Sequence, residues 1–377
     1  MSKDENKTKN KSSLKTRSLT ALVLLGIGVP CILLGGWFFT ALVLFATCLI
    51  TYEILKAPIF KLKKEEVKSI KEEHGGEIVK EVIKEEKKNQ FEQFPEYEKE
   101  IFRKKNFSIF IYIVMFVMMI SFVFWVYTNN TLVTFSSDNL GTIIMYDIRI
   151  STLALAFFVA LLFLQVLLEE DFTIHHAFYL FTMAVFCSIA LQSILFLRYC
   201  PEGLYNNVIK DEAAPEFHYG NFIAQSLLLI FVVGNSLVTD AYAFFIGRKF
   251  GKNKLNPRIS PKKTWEGFFG GCILGPITAI GFCFICDALG NPILKGILDI
   301  DHWYWVVLFS IIISVTSVLG DFMFSAIKRF YRIKDFGNIL PGHGGILDRF
   351  DSVLITSLIA SCLILFIAYS PWNALLQ

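Results

Sequence analysis

The chain has 377 residues, 54% of them apolar and 18% charged, with a formal net charge of +3 and a mean hydropathy of +0.53. A soluble protein carries about 25% charged residues, and here 20 of the 36 Lys and Arg fall in residues 1–17 and 56–105 alone. The remainder is too apolar for a soluble enzyme, a disordered chain or a secreted disulfide scaffold, and so small a net charge argues against a nucleic-acid partner. The composition is that of an all-α, polytopic integral membrane helical bundle.

A membrane-crossing helix needs about 20 mostly apolar residues. In chain order, nine segments qualify: about 19–34, 37–55, 107–127, 150–168, 174–197, 222–246, 265–285, 303–327 and 352–370. The first two flank Gly35-Gly36 and together are too long for one crossing, which predicts a tight hairpin. With a second apolar run following at once and no small-residue cleavage site between them, a cleaved signal peptide is disfavoured. The domain organisation expected is a basic N-terminus with a membrane hairpin (1–55), a charged insertion (56–105), central spans (106–221) and a C-terminal region carrying two polar loops (222–377). The eight cysteines lie in or beside apolar runs. Cys283 and Cys286 form a C-x-x-C with no second pair, so they are read as small buried hydrophobes.

Counting basic residues sets the orientation. With the N-terminus cytoplasmic, the cytoplasmic segments hold 32 Lys and Arg, and the opposite face holds only Arg149, Arg198, Lys210 and Lys295. Nine spans then put the C-terminus outside. Residues 56–105 carry 14 basic and 12 acidic residues, with Lys and Glu at helical spacing as in 80–88, which predicts a solvated helix or a partly disordered insertion.

Two carboxylates stand inside apolar spans, where each costs about 2.5–3.5 kcal/mol on insertion scales and usually marks function. Asp240 lies eight residues before Arg248 and Asp321 seven before Lys328. Both are therefore roughly 10–12 Å inside the cytoplasmic ends of their helices, which suggests one shared polar cavity. The last cytoplasmic loop adds Lys328, Arg329, Lys334, Asp335, Gly342, His343, Gly344, Gly345, Asp348, Arg349 and Asp351. Asp348 and Asp351, spaced i, i+3, project from one face at the start of the final span. With Asp321 they form a set of hard oxygen ligands suited to Mg²⁺. The glycines let backbone N–H groups approach an anion near a helix N-terminus. Lys328, Arg329, Lys334, His343 and Arg349 supply charge of the kind that clamps phosphates. This combination points to phosphoryl or nucleotidyl transfer to a lipid. In the loop 247–267, Ser260-Pro261 reads as a helix start. Lys262, Lys263 and Thr264 offer phosphate contacts there, and Trp265 an interface anchor.

In these two loops the sequence closely resembles the phosphatidate cytidylyltransferases, or CDP-diacylglycerol synthases, and the bacterial members most. The signature is met by Ser325, Lys328, Arg329, Lys334, Asp335, Pro341, His343, Gly344, Gly345, Asp348, Arg349 and Asp351. An upstream block is met by Asp240, Gly247, Arg248, Phe250, Gly251, Lys252 and Ser260–Gly267. The resemblance is clear over about 222–370, while 56–105 looks unusual for the family. It implies that CTP and phosphatidate give CDP-diacylglycerol and pyrophosphate with Mg²⁺, and with a second, monovalent or divalent, cation. Asp321, Asp348 and Asp351 would hold metal. Lys328, Arg329, Lys334, His343 and Arg349 would neutralise phosphates, His343 as a contact rather than a proton acceptor. Ser260, Lys262, Lys263, Thr264, Gly344, Gly345 and Asp240 would complete the substrate site. The expected setting is a bacterial cytoplasmic membrane with the site on the cytoplasmic side. The partners expected are membrane lipid and a second copy of the chain, with no nucleic acid. Another membrane lipid phosphotransferase or kinase, or an ion-coupled transporter, is the alternative. The opening D-G-x-x-A-R of the CDP-alcohol phosphotransferases is absent, and the polar residues cluster at one face rather than at midplane, as transport would require.

Overall fold

In the computed structural model, residues 20, 22–24, 26–60, 67, 78–103, 106–130, 155–199, 222–294, 297–340 and 344–369 are described. Arg149, Lys210, Lys295, Pro341, Gly342 and His343 lie outside them. Helix α1 (Leu22–Leu34) is followed by α2 (Gly36–Lys56), α3 (Ile78–Glu92), α4 (Glu96–Ile101), α5 (Ile109–Asn130), α6 (Leu155–Leu168) and α7 (Ile174–Tyr199). Next come α8 (Phe222–Phe250), strands β1 (Lys254–Asn256) and β2 (Ser260–Thr264), then α9 (Trp265–Ala288), α10 (Trp303–Phe330) and α11 (Leu347–Tyr369). Every predicted span meets a helix. Six of them (α2, α7, α8, α9, α10, α11) are long and apolar enough to cross a membrane, and α1, α5 and α6 contribute shorter apolar stretches. Between α1 and α2 the chain turns at Gly35 and Gly36, both at positive φ, a conformation that glycine adopts without steric cost.

The helices pack in two groups. α2, α5 and α7 contact one another; α8, α9, α10 and α11 form the second group, and α7 bridges the two through α8 and α11. The most intimate pairing is α8 with α9. Its cause is a small-residue stripe, Gly267, Gly271 and Gly275, repeating every four residues. A Cβ at Gly267 would lie 2.6 Å from the Ala243 carbonyl, and one at Gly271 2.9 Å from that of Thr239. Only backbones lacking side chains can approach so closely, the usual basis of tight helix association in lipid.

The hairpin β1–β2 pairs antiparallel, Lys254 opposite Thr264 and Asn256 opposite Ser260. It corrects the expectation that Ser260-Pro261 opens a helix: those residues begin a strand. The N-cap of α9 is Thr264, whose Oγ1 accepts from the Gly267 amide at 3.3 Å, while Asn253 is fastened to Glu266 through its side chain at 3.0 Å. The strand wins because β1 offers ladder partners that a helix start at Ser260 would forgo.

Of the charged insertion, the described stretches α3 and α4 are helical, as the Lys/Glu spacing predicts, but solvation is only half of their character. Phe91, Phe94 and Phe102 gather around Phe60, and Phe102 packs edge-on against Tyr331 at the end of α10. Arg332 pairs with Glu98 and lies over the rings of Phe94 and Phe102. Arg332 has φ +53°. It occupies the position past a helix C-terminus where glycine is usual, and the Ile333 amide closes back on the Lys328 carbonyl at 2.9 Å.

At the insertion's C-terminal end, the Arg103 side chain is 2% exposed and pairs with Glu169, which also accepts from Gln165 at 2.7 Å. Burial pushes the Glu169 carboxyl up, but the hydrogen bonds from Arg103, Gln165 and Ser108 outweigh it and hold the group below its ordinary value. A carboxylate so depressed stabilises the fold fully above the ordinary carboxylate range and loses that contribution as pH falls through its lowered value. Melting in detergent should therefore be flat from neutrality to about pH 5 and decline below about pH 4. Glu169→Gln, which leaves a buried guanidinium without its anion, should melt with about 3 kcal/mol less stability at neutral pH and show a shallower acid decline.

Candidate active site

The two polar loops meet at one end of the α8–α11 group. A cavity of about 500 Å³ opens at the first of them, lined by Asp240, Gly247, Arg248 and Gly251 from α8 and its exit, Lys254, Lys262, Lys263 and Thr264 from the hairpin, and Asp321 from α10. That volume is in the range of small-molecule sites. Four cationic side chains surround two carboxylates, a lining matched to a polyanion that arrives with a counter-ion.

The two intramembrane aspartates share this cavity, as their equal depth predicts. Asp240 is held by two hydroxyls: Ser352 Oγ of α11 donates to it at 2.8 Å and Ser317 Oγ of α10 at 3.2 Å. Asp321 accepts from Ser325 Oγ at 3.2 Å and pairs with Lys263 Nζ at 2.7 Å, so β2 is tied to α10 by a charge-assisted bond. The same ammonium lies 4.2 Å from the centre of the Phe322 ring. The two loops are stitched a second time where Arg329 Nε donates to the Ile259 carbonyl at 3.1 Å.

Behind the cavity is a buried charge cluster. Lys328 Nζ donates to Asp348 Oδ1 at 3.1 Å and to Asp351 Oδ2 at 3.5 Å, and all three residues are less than a tenth exposed. Both aspartates reach one lysine because the i, i+3 spacing puts them on one face of the first turn of α11. Asp351 also lies within electrostatic reach of Asp321 and Asp240, which joins this cluster to the cavity.

The glycine-rich segment is already engaged. Asp348 Oδ2 accepts from the amides of Phe336 at 2.8 Å and Gly345 at 3.0 Å, and Gly344, at φ +90°, exchanges backbone bonds with Leu340. The amides of Ile346 and Leu347 donate to Glu53 of α2 at 2.9 and 2.8 Å. The anions at this helix N-terminus are thus the chain's own carboxylates. Sequence reading passed over Glu53; the available signal was a carboxylate three residues short of the insertion, at the end of an apolar run. Lys334 and Arg349 are exposed and, like Ser260, Gly344 and Gly345, do not line the cavity.

Asp321, Asp348 and Asp351 are of the right chemistry for a hard divalent ion. Among the described residues, however, no three acidic, His or Cys side chains stand at metal-ligating spacing. Each of the three carboxylates is instead balanced by an ammonium group, Lys263 or Lys328.

Comparison with known proteins gives the family. The description of the Cytidylyltransferase family matches residues 99–367, more than half of the chain, and the chain belongs to that family. Among curated relatives, a phosphatidate cytidylyltransferase of Bacillus subtilis is 47% identical over 116 residues, 31% of this chain and 39% of the relative. Those of Haemophilus influenzae (41% over 126 residues; 33% and 41%) and Thermotoga maritima (36% over 139 residues; 37% and 48%) are similar. The aligned part thus spans less than half the length of each of these relatives.

Proposed function

We propose that this chain transfers a cytidylyl group from CTP to phosphatidate, releasing pyrophosphate and forming CDP-diacylglycerol. The observation that carries the reading is the cavity itself: Arg248, Lys254, Lys262 and Lys263 around Asp240 and Asp321, at the end of membrane helices, in a chain whose relatives bear that name. A phosphatidate oxygen forms the new bond to the α-phosphorus of CTP, the bond to the β-phosphate oxygen breaks, and its electron pair leaves with pyrophosphate. Because the phosphatidate is already anionic, no general base is needed. The demand is for positive charge, first to bring two anions together and then to stabilise the leaving group. Lys262, Lys263, Thr264 and Arg248 would bind phosphates in the cavity. Lys328, Arg329, Lys334, His343 and Arg349 would add charge from the second loop.

Asp321, Asp348 and Asp351 would hold Mg²⁺, with Lys263 and Lys328 turning from carboxylates to phosphates when the metal nucleotide binds. The ion would supply Lewis-acid neutralisation of the polyphosphate. A bacterial cytoplasmic membrane with the site on the cytoplasmic face is supported by the 32-to-4 partition of basic residues. A homodimer and a second cation remain part of the proposal.

The test is purified chain in detergent with CTP, phosphatidate and Mg²⁺, following pyrophosphate and the lipid product by mass spectrometry. CDP-diacylglycerol should form only with all three. Pyrophosphate without that lipid would identify another acceptor and overturn the assignment of phosphatidate.

A further inference from the structure

The N-cap of α11 is Ile346, whose carbonyl accepts the first helical bonds, from Arg349 at 2.9 Å and Phe350 at 3.1 Å. Isoleucine has no side-chain acceptor, so the buried amides of this helix start, which have no intrahelical partner, must be satisfied from elsewhere. Glu53 does this from a residue 293 positions away, one carboxylate oxygen on the Ile346 amide and the other on that of Leu347. It is 1% exposed. The surrounding backbone is shaped to admit it. A Cβ at Gly345 would fall 2.6 Å from either Glu53 oxygen, and one at Gly337 would collide with the same carboxylate. Neither glycine is at positive φ, so room for Glu53, not backbone freedom, is what requires glycine there. Glu53 and Asp348 divide four neighbouring amides between them: Ile346 and Leu347 go to Glu53, Phe336 and Gly345 to Asp348.

We infer that Glu53 is a positioning residue of the active site: a cap supplied by the N-terminal hairpin that fixes the first turn of α11, and through it Asp348 and Asp351 against Lys328. Glu53 lies outside the family match at 99–367, so the inference makes α2 part of the catalytic unit rather than an anchor alone. It rests on the transfer activity proposed above.

The experiment compares wild type with Glu53→Gln, Glu53→Ala and Gly345→Ala in the whole 377-residue chain. It measures kcat and KM for CTP, CTP-binding stoichiometry, and hydrogen exchange of the segment 344–350. Glutamine keeps the shape but only one acceptor, and Gly345→Ala presses on the same carboxylate from the other side, so the two remain informative if Glu53→Ala does not fold. Small misplacements at a reacting centre can cost about a hundredfold. kcat should fall about tenfold in Glu53→Gln and Gly345→Ala and about a hundredfold in Glu53→Ala. The KM for CTP should stay within about twofold, one CTP should still bind per chain, and the Ile346 and Leu347 amides should exchange faster. A merely structural role would instead reduce binding stoichiometry in step with activity. Unchanged kcat with faster exchange, or a loss of activity that follows loss of CTP binding, would overturn the role assigned to Glu53. A wild-type chain that binds CTP but transfers nothing would overturn the function itself, an outcome distinct from either.

Discussion

Asp351→Asn is expected to abolish transfer, by at least about a thousandfold, while leaving a folded membrane protein. Removing a single preorganised charge from a catalytic site costs roughly that much, and Asp351 is where three charged groups converge: Lys328 at 3.5 Å, with Asp321 and Asp240 within electrostatic reach. Asparagine keeps the volume and can still accept from the Ser352 amide, now at 2.9 Å, so the local fold survives. Asp348→Asn should behave differently. Asp348 holds Lys328 and two backbone amides at once, and breaking a buried pair on one side costs about 3–5 kcal/mol. That variant should lose activity and melt markedly lower. Initial rates and detergent melting curves on the two variants separate the roles. Near-normal activity in Asp351→Asn would remove it from the reacting centre.

Lys263→Ala is expected to raise the KM for CTP by about ten- to a hundredfold, the worth of one hydrogen bond to a charged group. In the structure Lys263 Nζ is 2.7 Å from Asp321 and faces the cavity. Its loss removes a phosphate contact and leaves Asp321 without its counter-ion. Steady-state kinetics varying CTP at saturating phosphatidate check this. A change confined to the lipid dependence would move β2 from the nucleotide to the headgroup side of the site.

Much of this was readable from the chain, for physical reasons that also mark where reading stops. Apolar runs of 20 residues are a local property, so every predicted span meets a helix. Equal depth of Asp240 and Asp321 below their basic loops is also local arithmetic, and it led to one cavity. That Asp348 and Asp351 share one face follows from helical spacing; that this face meets Lys328 was not read, because it depends on a neighbouring helix. The features that escaped depend on contacts distant in sequence. The first turn of α11, which carries Asp348 and Asp351 as their spacing predicts, is capped by Glu53 of α2, and nothing within 340–352 announces that cap. The Ser260–Thr264 strand depends on a partner strand, and its Ser-Pro opening imitates a helix start. The aromatic residues of the insertion sit among Lys and Glu, and their docking beside Tyr331 and Arg332 is set by tertiary packing that charge patterning does not encode.

Nucleotidyl and phosphoryl transfer differ in which phosphorus of CTP reaches the lipid, and the position of a label decides between them. The 377-residue chain in phosphatidate-containing vesicles with Mg²⁺ would be given CTP labelled with ³²P at either the α or the γ position. Nucleotidyl transfer puts the α-label in the lipid and releases the γ-label wholly as pyrophosphate, with Asp351→Asn incorporating neither. Label from the γ position in the lipid would make the chain a kinase and rule out cytidylyl transfer.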